Sequence, residues 1–300
     1  MIGTWRHNGG TRHSTVSRRQ VWLPLAAFAC VLFGCAAPPA DESRSGDRAL
    51  SIDKITIDRG AYMAHWYRPT VPPTALIVFQ PGFSRRCANL RSTTDHLVRT
   101  GVIALCLDAS MARGNHALAD SLAHLLVHGL TMSDGRTLPD RIIVAGHSAG
   151  AAFAARLGKQ LSHLAPARLA GALLFDPVAT QGFTADINAI SAGGRRPVRA
   201  VIAQSDGCNA NLNALQALRD VRLSALQAGR DGFVGVQLIR DSTHVDVEGE
   251  DSDWIGILAC GRPLPANVAL LRQLATQWLV EMIGGAEFRG GVFDGARPIE

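Results

Sequence analysis

The segment RIIVAGHSAGAAFAARLG, residues 141–158, joins a hydrophobic run to a stretch of small residues through a serine flanked by glycines. The hydrophobic run predicts a buried strand, and the alanine-rich stretch predicts a helix. The chain must therefore turn sharply at Ser148, and Gly146 and Gly150 leave the space for that turn. A helix N-cap would account for the serine but for neither glycine. The segment matches G-x-S-x-G in a strand–turn–helix context, which predicts a nucleophilic Ser148 whose Oγ projects above the sheet.

Similar hydrophobic runs alternate with helical patterns from residue 52 onward. An early hairpin is predicted in ITIDRGAYMAHWYRP, and further strands in TALIVFQPGF, VIALCLDAS, RIIVAG, LAGALLFDP, VRAVIAQSD and VGVQLIRDS. Helices are predicted at about 88–100, 115–129, 149–164, 210–220 and 265–283. This alternation predicts an α/β domain over residues 52–283, with a mostly parallel sheet and helices on both faces. The glycine-rich residues 284–300 are expected to form a loosely ordered tail.

Residues 1–35 have the composition of an export signal. Arg18 and Arg19 precede the thirteen-residue apolar run VWLPLAAFACVLF, which is shorter than the roughly 20 residues of a membrane span. LFGC, ending at Cys35, resembles a lipobox and predicts a lipid anchor, with simple cleavage near Ala36 or Ala37 as the alternative. SRRQVWL also partly resembles a twin-arginine signal. We expect a periplasmic, outer-membrane-anchored or secreted protein, with residues 36–51 as a flexible tether.

The net charge of +5 belongs to this leader. Residues 1–34 hold four of the thirty basic side chains and no carboxylate, which leaves 26 basic against 25 acidic residues. The near-neutral remainder argues against a nucleic-acid partner.

A nucleophilic serine needs a general base, and only His163 and His244 follow Ser148 in the chain. His163 ends the helix after the nucleophile and points away from the strand ends, whereas His244 directly follows a predicted strand. By elimination His244 is the predicted base. A metal site formed by His244, Asp246 and Glu248 is the alternative, but such a polar loop is usually only solvated.

Two aspartates end predicted strands after the nucleophile, and either one suits the role of orienting the histidine. Asp176 lies in LLFDPV and Asp206 in AQSDGC. Asp206 occupies the commoner location, whereas Pro177 makes the backbone at Asp176 rigid. Spacing alone leaves the choice open.

An oxyanion formed during attack on a carbonyl requires two N–H donors. The amide of Ala149 is one predicted donor, because it directly follows the nucleophile. The amide of Phe83 is the other, since Gly82 permits close approach of the loop after TALIVFQPGF. The Phe83 side chain is predicted to floor an acyl pocket. Neither a metal nor an organic cofactor is expected.

These residues carry a resemblance to the α/β-hydrolases over about residues 52–283, and to the chlorophyllase, polyester-hydrolase (cutinase-like) and platelet-activating-factor acetylhydrolase group. QPGF is similar to the oxyanion loop of polyester hydrolases. LLFDPVAT and LIRDSTHVDVEGED resemble the aspartate and histidine segments of chlorophyllases. The chlorophyllase likeness implies Asp176 as the acid, and we predict Asp176 on that basis; polyester hydrolases instead place theirs after the next strand, which would favour Asp206.

The resemblance implies a Ser-Asp-His esterase that cleaves small-molecule, lipid or polyester esters through an acyl-enzyme. About 20 residues separate DPV from VRAVIAQSD, which leaves room for only a minimal cap and predicts an open cleft. An acyltransferase with the same triad and a non-catalytic binding module are the alternatives.

Four cysteines lie beyond the leader, and export would place them in an oxidising compartment. Cys87, Cys106, Cys208 and Cys260 allow three pairings. We favour Cys208 with Cys260, because both lie in loops of the C-terminal half near the predicted site. The chain has no C-x-x-C pair, so a cysteine-based metal site is not expected.

Overall fold

The computed structural model describes residues 50–132, 135–284 and 293–300. The predicted signal, Cys35 and residues 36–49 of the predicted tether lie outside these ranges. The described residues form nine strands: β1 (Leu50–Ile57), β2 (Gly60–Tyr67), β3 (Ala75–Gln80), β4 (Val102–Asp108), β5 (Ile142–His147), β6 (Leu169–Phe175), β7 (Val198–Ile202), β8 (Gly235–Leu238) and β9 (Ala296–Pro298). They also form seven helices: α1 (Arg91–Val98), α2 (His116–His128), α3 (Ala149–Leu164), α4 (Phe183–Ser191), α5 (Leu215–Gln227), α6 (Trp254–Cys260) and α7 (Pro265–Gly284).

All nine strands join in one sheet of order β1-β2-β4-β3-β5-β6-β7-β8-β9. The six strands from β4 to β8 in this order are parallel to one another. The β1–β2 hairpin is antiparallel and adds to β4 at one edge, and β9 is antiparallel to β8 at the other. The predicted mostly parallel sheet is therefore confirmed.

Helices cover both faces of the sheet, as predicted. Leu76 and Val78 of β3 pack in the same buried cluster as residues of α2, α3, α4 and α5. Ile77 and Phe79 of β3 belong to the cluster that includes residues of α1 and α7. Successive side chains of a strand point to opposite faces. A strand covered on both faces must therefore be apolar at every position, which explains the uninterrupted hydrophobic runs.

Four elements differ from the sequence-based expectation. Helices α4 and α6 were not predicted, because they are short, with nine and seven residues. The predicted tail of 284–300 is wrong at its end, where Ala296–Pro298 forms β9 and Ile299 is buried. The open edge of β8 decides that pairing, and the tail sequence alone carries no strand pattern. Leu50 and Ser51, assigned to the tether, belong to β1.

The segment between β6 and β7 contains only the nine-residue α4, which packs against α3 and α5. The expected minimal cap is therefore confirmed. In the described ranges no single helix has the length and apolar composition to cross a membrane, although α6 and α7, bent by 96°, meet these criteria when taken as a pair.

Two disulfide bonds fasten loops at the carboxyl ends of the strands. Cys208 pairs with Cys260, as favoured from the sequence, and ties the loop after β7 to the end of α6. Cys87 pairs with Cys106 of β4 and ties down the segment that follows β3. Both bonds therefore restrain the end of the sheet where the predicted site residues lie.

Candidate active site

Ser148 occupies the turn between β5 and α3 in a conformation that residues other than glycine rarely adopt, with φ 55° and ψ −124°. Two backbone hydrogen bonds hold this turn: the Ser148 amide donates to Phe175 O at 3.1 Å, and the Val178 amide donates to Ser148 O at 3.1 Å. Strained backbone persists only where its surroundings enforce it, and it is concentrated at functional sites. The predicted sharp turn at Ser148 is therefore present.

The glycines around the turn allow backbone segments to approach each other. A Cβ atom at Gly146 would lie 2.1 Å from Gly150 O, and one at Gly150 would lie 2.3 Å from Pro81 O. A Cβ atom at Gly82 would lie 2.8 Å from Ser148 Cβ. Side chains at these positions are excluded, so the glycines bring the loop after β3 directly against the serine.

Two amides near Ser148 are available as donors. In the described part of the chain, neither the Phe83 nor the Ala149 amide donates a hydrogen bond. Ala149 begins the sixteen-residue α3, whose N-terminal dipole favours negative charge. Phe83 lies in a turn closed by the Arg85 amide, which donates to Gly82 O at 3.2 Å. The Phe83 side chain is 62% exposed, so it stands at the rim of the site and does not form the predicted floor.

His244 and Asp176 are in direct contact: His244 Nδ1 lies 2.6 Å from Asp176 Oδ2, and both residues are buried. Asp176 has a left-handed backbone, with φ 39°, at the end of β6. Its other oxygen accepts a hydrogen bond from the Ala203 amide at 2.9 Å. An Nδ1–H donor to the carboxylate leaves Nε2 of His244 as the basic nitrogen.

The structure separates the two candidate acids. Asp206 Oδ1 accepts a hydrogen bond from the Asn209 amide at 2.9 Å, and its own amide donates to Asn209 Oδ1 at 3.0 Å. This local turn directs Asn209 Nδ2 to Asp176 Oδ2, at 3.2 Å. Asp206 is therefore linked to His244 indirectly, through Asn209 and then Asp176. Asn209 was missed by the sequence analysis, since no motif marks it.

Ser148 and His244 lie at the same end of the sheet, and His147, the residue before the serine, contacts His244. The two imidazole centroids are 4.5 Å apart, and His147 Nε2 donates to the carbonyl oxygen of His244 at 2.9 Å. Within the described ranges no hydrogen bond joins the Ser148 hydroxyl to His244. Catalytic hydrogen bonds are often long in unliganded enzymes and tighten when substrate binds.

Electrostatics keep His147 neutral. Its complete burial and the neighbouring His244 and Arg85 lower its pKa well below the ordinary value of 6.5. Its Nδ1 atom lies 4.0 Å from Glu248 Oε1, and burial raises the pKa of Glu248 despite its contact with Arg85. The residue beside the nucleophile therefore serves as a hydrogen-bond donor without charge.

We expect His147→Gln to reduce the acid sensitivity of folding. The unfolded chain takes up a proton at His147 below about pH 6.5, whereas the folded protein, with its lowered pKa, does not. Through this group the protein therefore loses stability progressively as the pH falls from 7.5 to 5.5, through the unfolded pKa towards the lowered folded pKa. Glutamine keeps a donor for the His244 carbonyl but cannot titrate.

Urea unfolding of both proteins at the two pH values measures this contribution as a difference. Comparing the proteins cancels the opposite contributions of Asp246 and Glu248, whose pKa values are raised by burial. If the two proteins differ in unfolding free energy by the same amount at both pH values, a neutral, buried His147 is contradicted.

The residues of the alternative metal site have separate partners. Asp246 accepts hydrogen bonds from the amides of Thr243 and Leu264, each at 2.9 Å, and Glu248 pairs with Arg85. Asp246 thus organises the loop that carries His244. A different group of potential ligands, His65, Cys87 and Asp108, lies close together, but the Cys87 sulfur is bonded to Cys106.

Solved structures with a similar backbone include several hydrolases. A thermostable esterase from Pseudomonas putida is 16% identical over 79% of this chain and 84% of its own, with a TM-score of 0.54. Dienelactone hydrolase from Anabaena variabilis is 13% identical over 78% and 98%, with a TM-score of 0.54. An esterase from Pyrobaculum calidifontis is 12% identical over 79% and 86%, with a TM-score of 0.55. No protein-family model and no curated protein sequence matches the chain.

These similar backbones confirm the fold, which sequence identities of 12% to 16% would not establish by themselves. The chain has the α/β-hydrolase fold, as its resemblance to that superfamily implied. The narrower resemblance to chlorophyllases, polyester hydrolases and platelet-activating-factor acetylhydrolases stays a prediction.

Proposed function

We propose that the protein is a serine hydrolase that cleaves carboxylic esters through an acyl-enzyme intermediate. The observation that carries this proposal is the 2.6 Å contact between His244 Nδ1 and Asp176 Oδ2, formed beside a strained turn that presents Ser148. A binding protein has no need for such a buried pair next to a strained serine. The esterases among the structural neighbours support the same reaction class.

In this mechanism Ser148 Oγ attacks the ester carbonyl while His244 Nε2 accepts the hydroxyl proton. Asp176 orients the ring and stabilises the resulting imidazolium. The amides of Phe83 and Ala149 donate to the oxyanion of the tetrahedral intermediate. His244 then returns the proton to the departing alcohol, and a water molecule activated by His244 releases the acid and regenerates Ser148.

Esters that extend beyond a small buried pocket fit this site best. The short segment between β6 and β7 contains only α4, so no large cap lies over the site, and the Phe83 ring faces solvent at the rim. A cavity of about 500 Å³ lies beside the same loop, lined by Ser84, Arg85, Arg86 and residues 108–110. Its lining includes neither Ser148 nor His244, so only a part of the ester remote from the reacting carbonyl would extend into it.

We also propose that the protein is exported and held at a membrane through Cys35. The charged leader and short apolar run support export. The two disulfide bonds suit an oxidising compartment.

The purified protein is expected to react with a fluorophosphonate probe and to hydrolyse p-nitrophenyl esters from acetate to laurate. The rate should fall at acidic pH, because protonated His244 cannot accept the serine proton. Adding an alcohol acceptor tests the transferase alternative, which requires a new ester to form faster than the free acid. A folded protein that neither binds the probe nor turns over any ester would contradict the proposal and favour a binding role.

A further inference from the structure

A buried ion pair connects the two loops that would supply the oxyanion donor and the general base. Arg85 Nε donates to Glu248 Oε1 at 2.7 Å, and Nη2 donates to Oε2 at 2.5 Å. The Glu248 side chain is fully buried, and that of Arg85 is 12% exposed. The two residues are 163 positions apart in the chain, so this contact is a direct tie between distant loops.

The arginine side of this tie acts on the Phe83 amide. Arg85 closes the turn that contains Phe83, through its own amide bond to Gly82 O. Within that turn Ser84 has φ 56°, the left-handed conformation that a type II turn requires at its third residue. The Arg85 Cγ atom also lies 3.6 Å from the position of a Cβ at Gly82. Movement of the guanidinium would therefore move the turn and the Phe83 N–H.

The glutamate side acts on His244. Glu248 closes the turn after His244 through its amide, which donates to Val245 O at 2.9 Å. Glu248 Oε1 faces His147 at 4.0 Å, and His147 in turn donates to the His244 carbonyl at 2.9 Å. The Glu248 carboxylate thus binds the loop after β3 through Arg85 and faces His147, while Glu248 itself belongs to the loop that carries His244.

Stability alone is a weak reason for such a pair. Desolvation of two charges offsets much of their attraction, and replacing a buried pair with apolar side chains is often neutral for stability. A planar guanidinium bound through two nitrogens does, however, fix distance and orientation. Arg85 also donates to both oxygens of Asp253, the N-cap of α6, at 2.9 and 3.0 Å, which leaves the guanidinium little freedom.

We propose that Arg85 and Glu248 are positioning residues, whose buried pair holds the Phe83 amide in register with Ser148 and His244. This role rests on the proposed ester hydrolysis. Neither side chain touches the reacting atoms, and both act through the backbone of their loops.

The test compares Arg85→Lys, Glu248→Gln and the apolar double variant Arg85→Met/Glu248→Leu with the wild type. Each single variant is expected to lower kcat for p-nitrophenyl butyrate about 10- to 100-fold with little change in KM, since loss of one oxyanion donor lowers kcat by roughly 10²–10³. The inhibition constant of a trifluoromethyl ketone, whose adduct needs the oxyanion donors, should rise by the same factor as kcat/KM falls.

Glu250→Gln is the control, because Glu250 also binds an arginine through two nitrogens, Nη1 and Nη2 of Arg272, but is 65% exposed. It should keep wild-type kcat. The double variant separates positioning from stability: it leaves no unpaired buried charge, so its thermal midpoint should approach that of the wild type while kcat stays low.

Wild-type kcat in a folded double variant, or in folded Arg85→Lys, would overturn the positioning role. Loss of folding in the double variant leaves the decision to Arg85→Lys, which keeps the charge but not the planar fork. If the wild-type protein neither hydrolyses esters nor binds the fluorophosphonate, the proposed function is contradicted, and the positioning role with it. An active wild type with unaffected variants would remove the positioning role alone.

Discussion

Ser148→Ala is expected to lower kcat for p-nitrophenyl esters by about 10⁴- to 10⁶-fold, because no other group can form the acyl-enzyme. The substitution removes only the Ser148 hydroxyl group. The backbone strain at φ 55° remains, held by the hydrogen bonds to Phe175 and Val178. We therefore expect the variant to fold, with a thermal midpoint close to that of the wild type.

Fluorophosphonate labelling followed by mass spectrometry of peptides checks this expectation. The adduct should map to Ser148 in the wild type and be absent from Ser148→Ala. Ser162→Ala is the control, since this serine lies near the C-terminal end of α3, the helix that follows Ser148, and donates to Lys159 O. Labelling of Ser148→Ala at the wild-type rate would place the nucleophile elsewhere and refute the proposed mechanism.

Asp176→Asn is expected to lower kcat by about 10²- to 10⁴-fold with little change in KM. The asparagine amide would donate to His244 Nδ1 and so place the ring proton on Nε2. An imidazole in that tautomer cannot accept the proton of Ser148. The shape of the side chain is nearly conserved, so the loss would come from proton placement and not from packing.

Asp206→Asn is the matched comparison, because both aspartates follow neighbouring strands. We expect its kcat to stay within about tenfold of the wild type, since Asp206 acts only through the turn that positions Asn209. Steady-state kinetics of the two variants with one ester decides between the acids. A greater loss in Asp206→Asn than in Asp176→Asn would assign the acid to Asp206.

The fold was largely predictable because its signals are local. Most buried strands of the sheet are nearly continuous apolar runs, and each long helix has a pattern set by its own neighbours in the chain. The short elements were not predictable, because they depend on contacts that the local sequence pattern does not reveal. Ala296–Pro298 becomes a strand only because β8 offers it an open edge, and α6 is held by the disulfide bond at Cys260 and the N-cap at Asp253.

The candidate site was predictable to a smaller extent. The turn at Ser148 follows from a motif whose glycines have a steric reason, and His244 follows from elimination. Arg85 and Asn209 carried no signal, and Glu248 was considered only as a metal ligand, because a charged or amide residue in a loop is usually solvated. Their roles depend on partners far away in the chain, as the 163 residues between Arg85 and Glu248 illustrate.

The sequence by itself determined the layers of the fold, the strained serine turn and the only suitable histidine, since periodicity, glycine spacing and residue counts are properties of the chain. Only the tertiary structure shows that Asp176, and not Asp206, contacts the histidine. That contact depends on the paths of the loops after β6 and β7. The Asp206 loop closes on Asn209, whereas Asp176, on the strand beside β5, is directed to His244 at 2.6 Å.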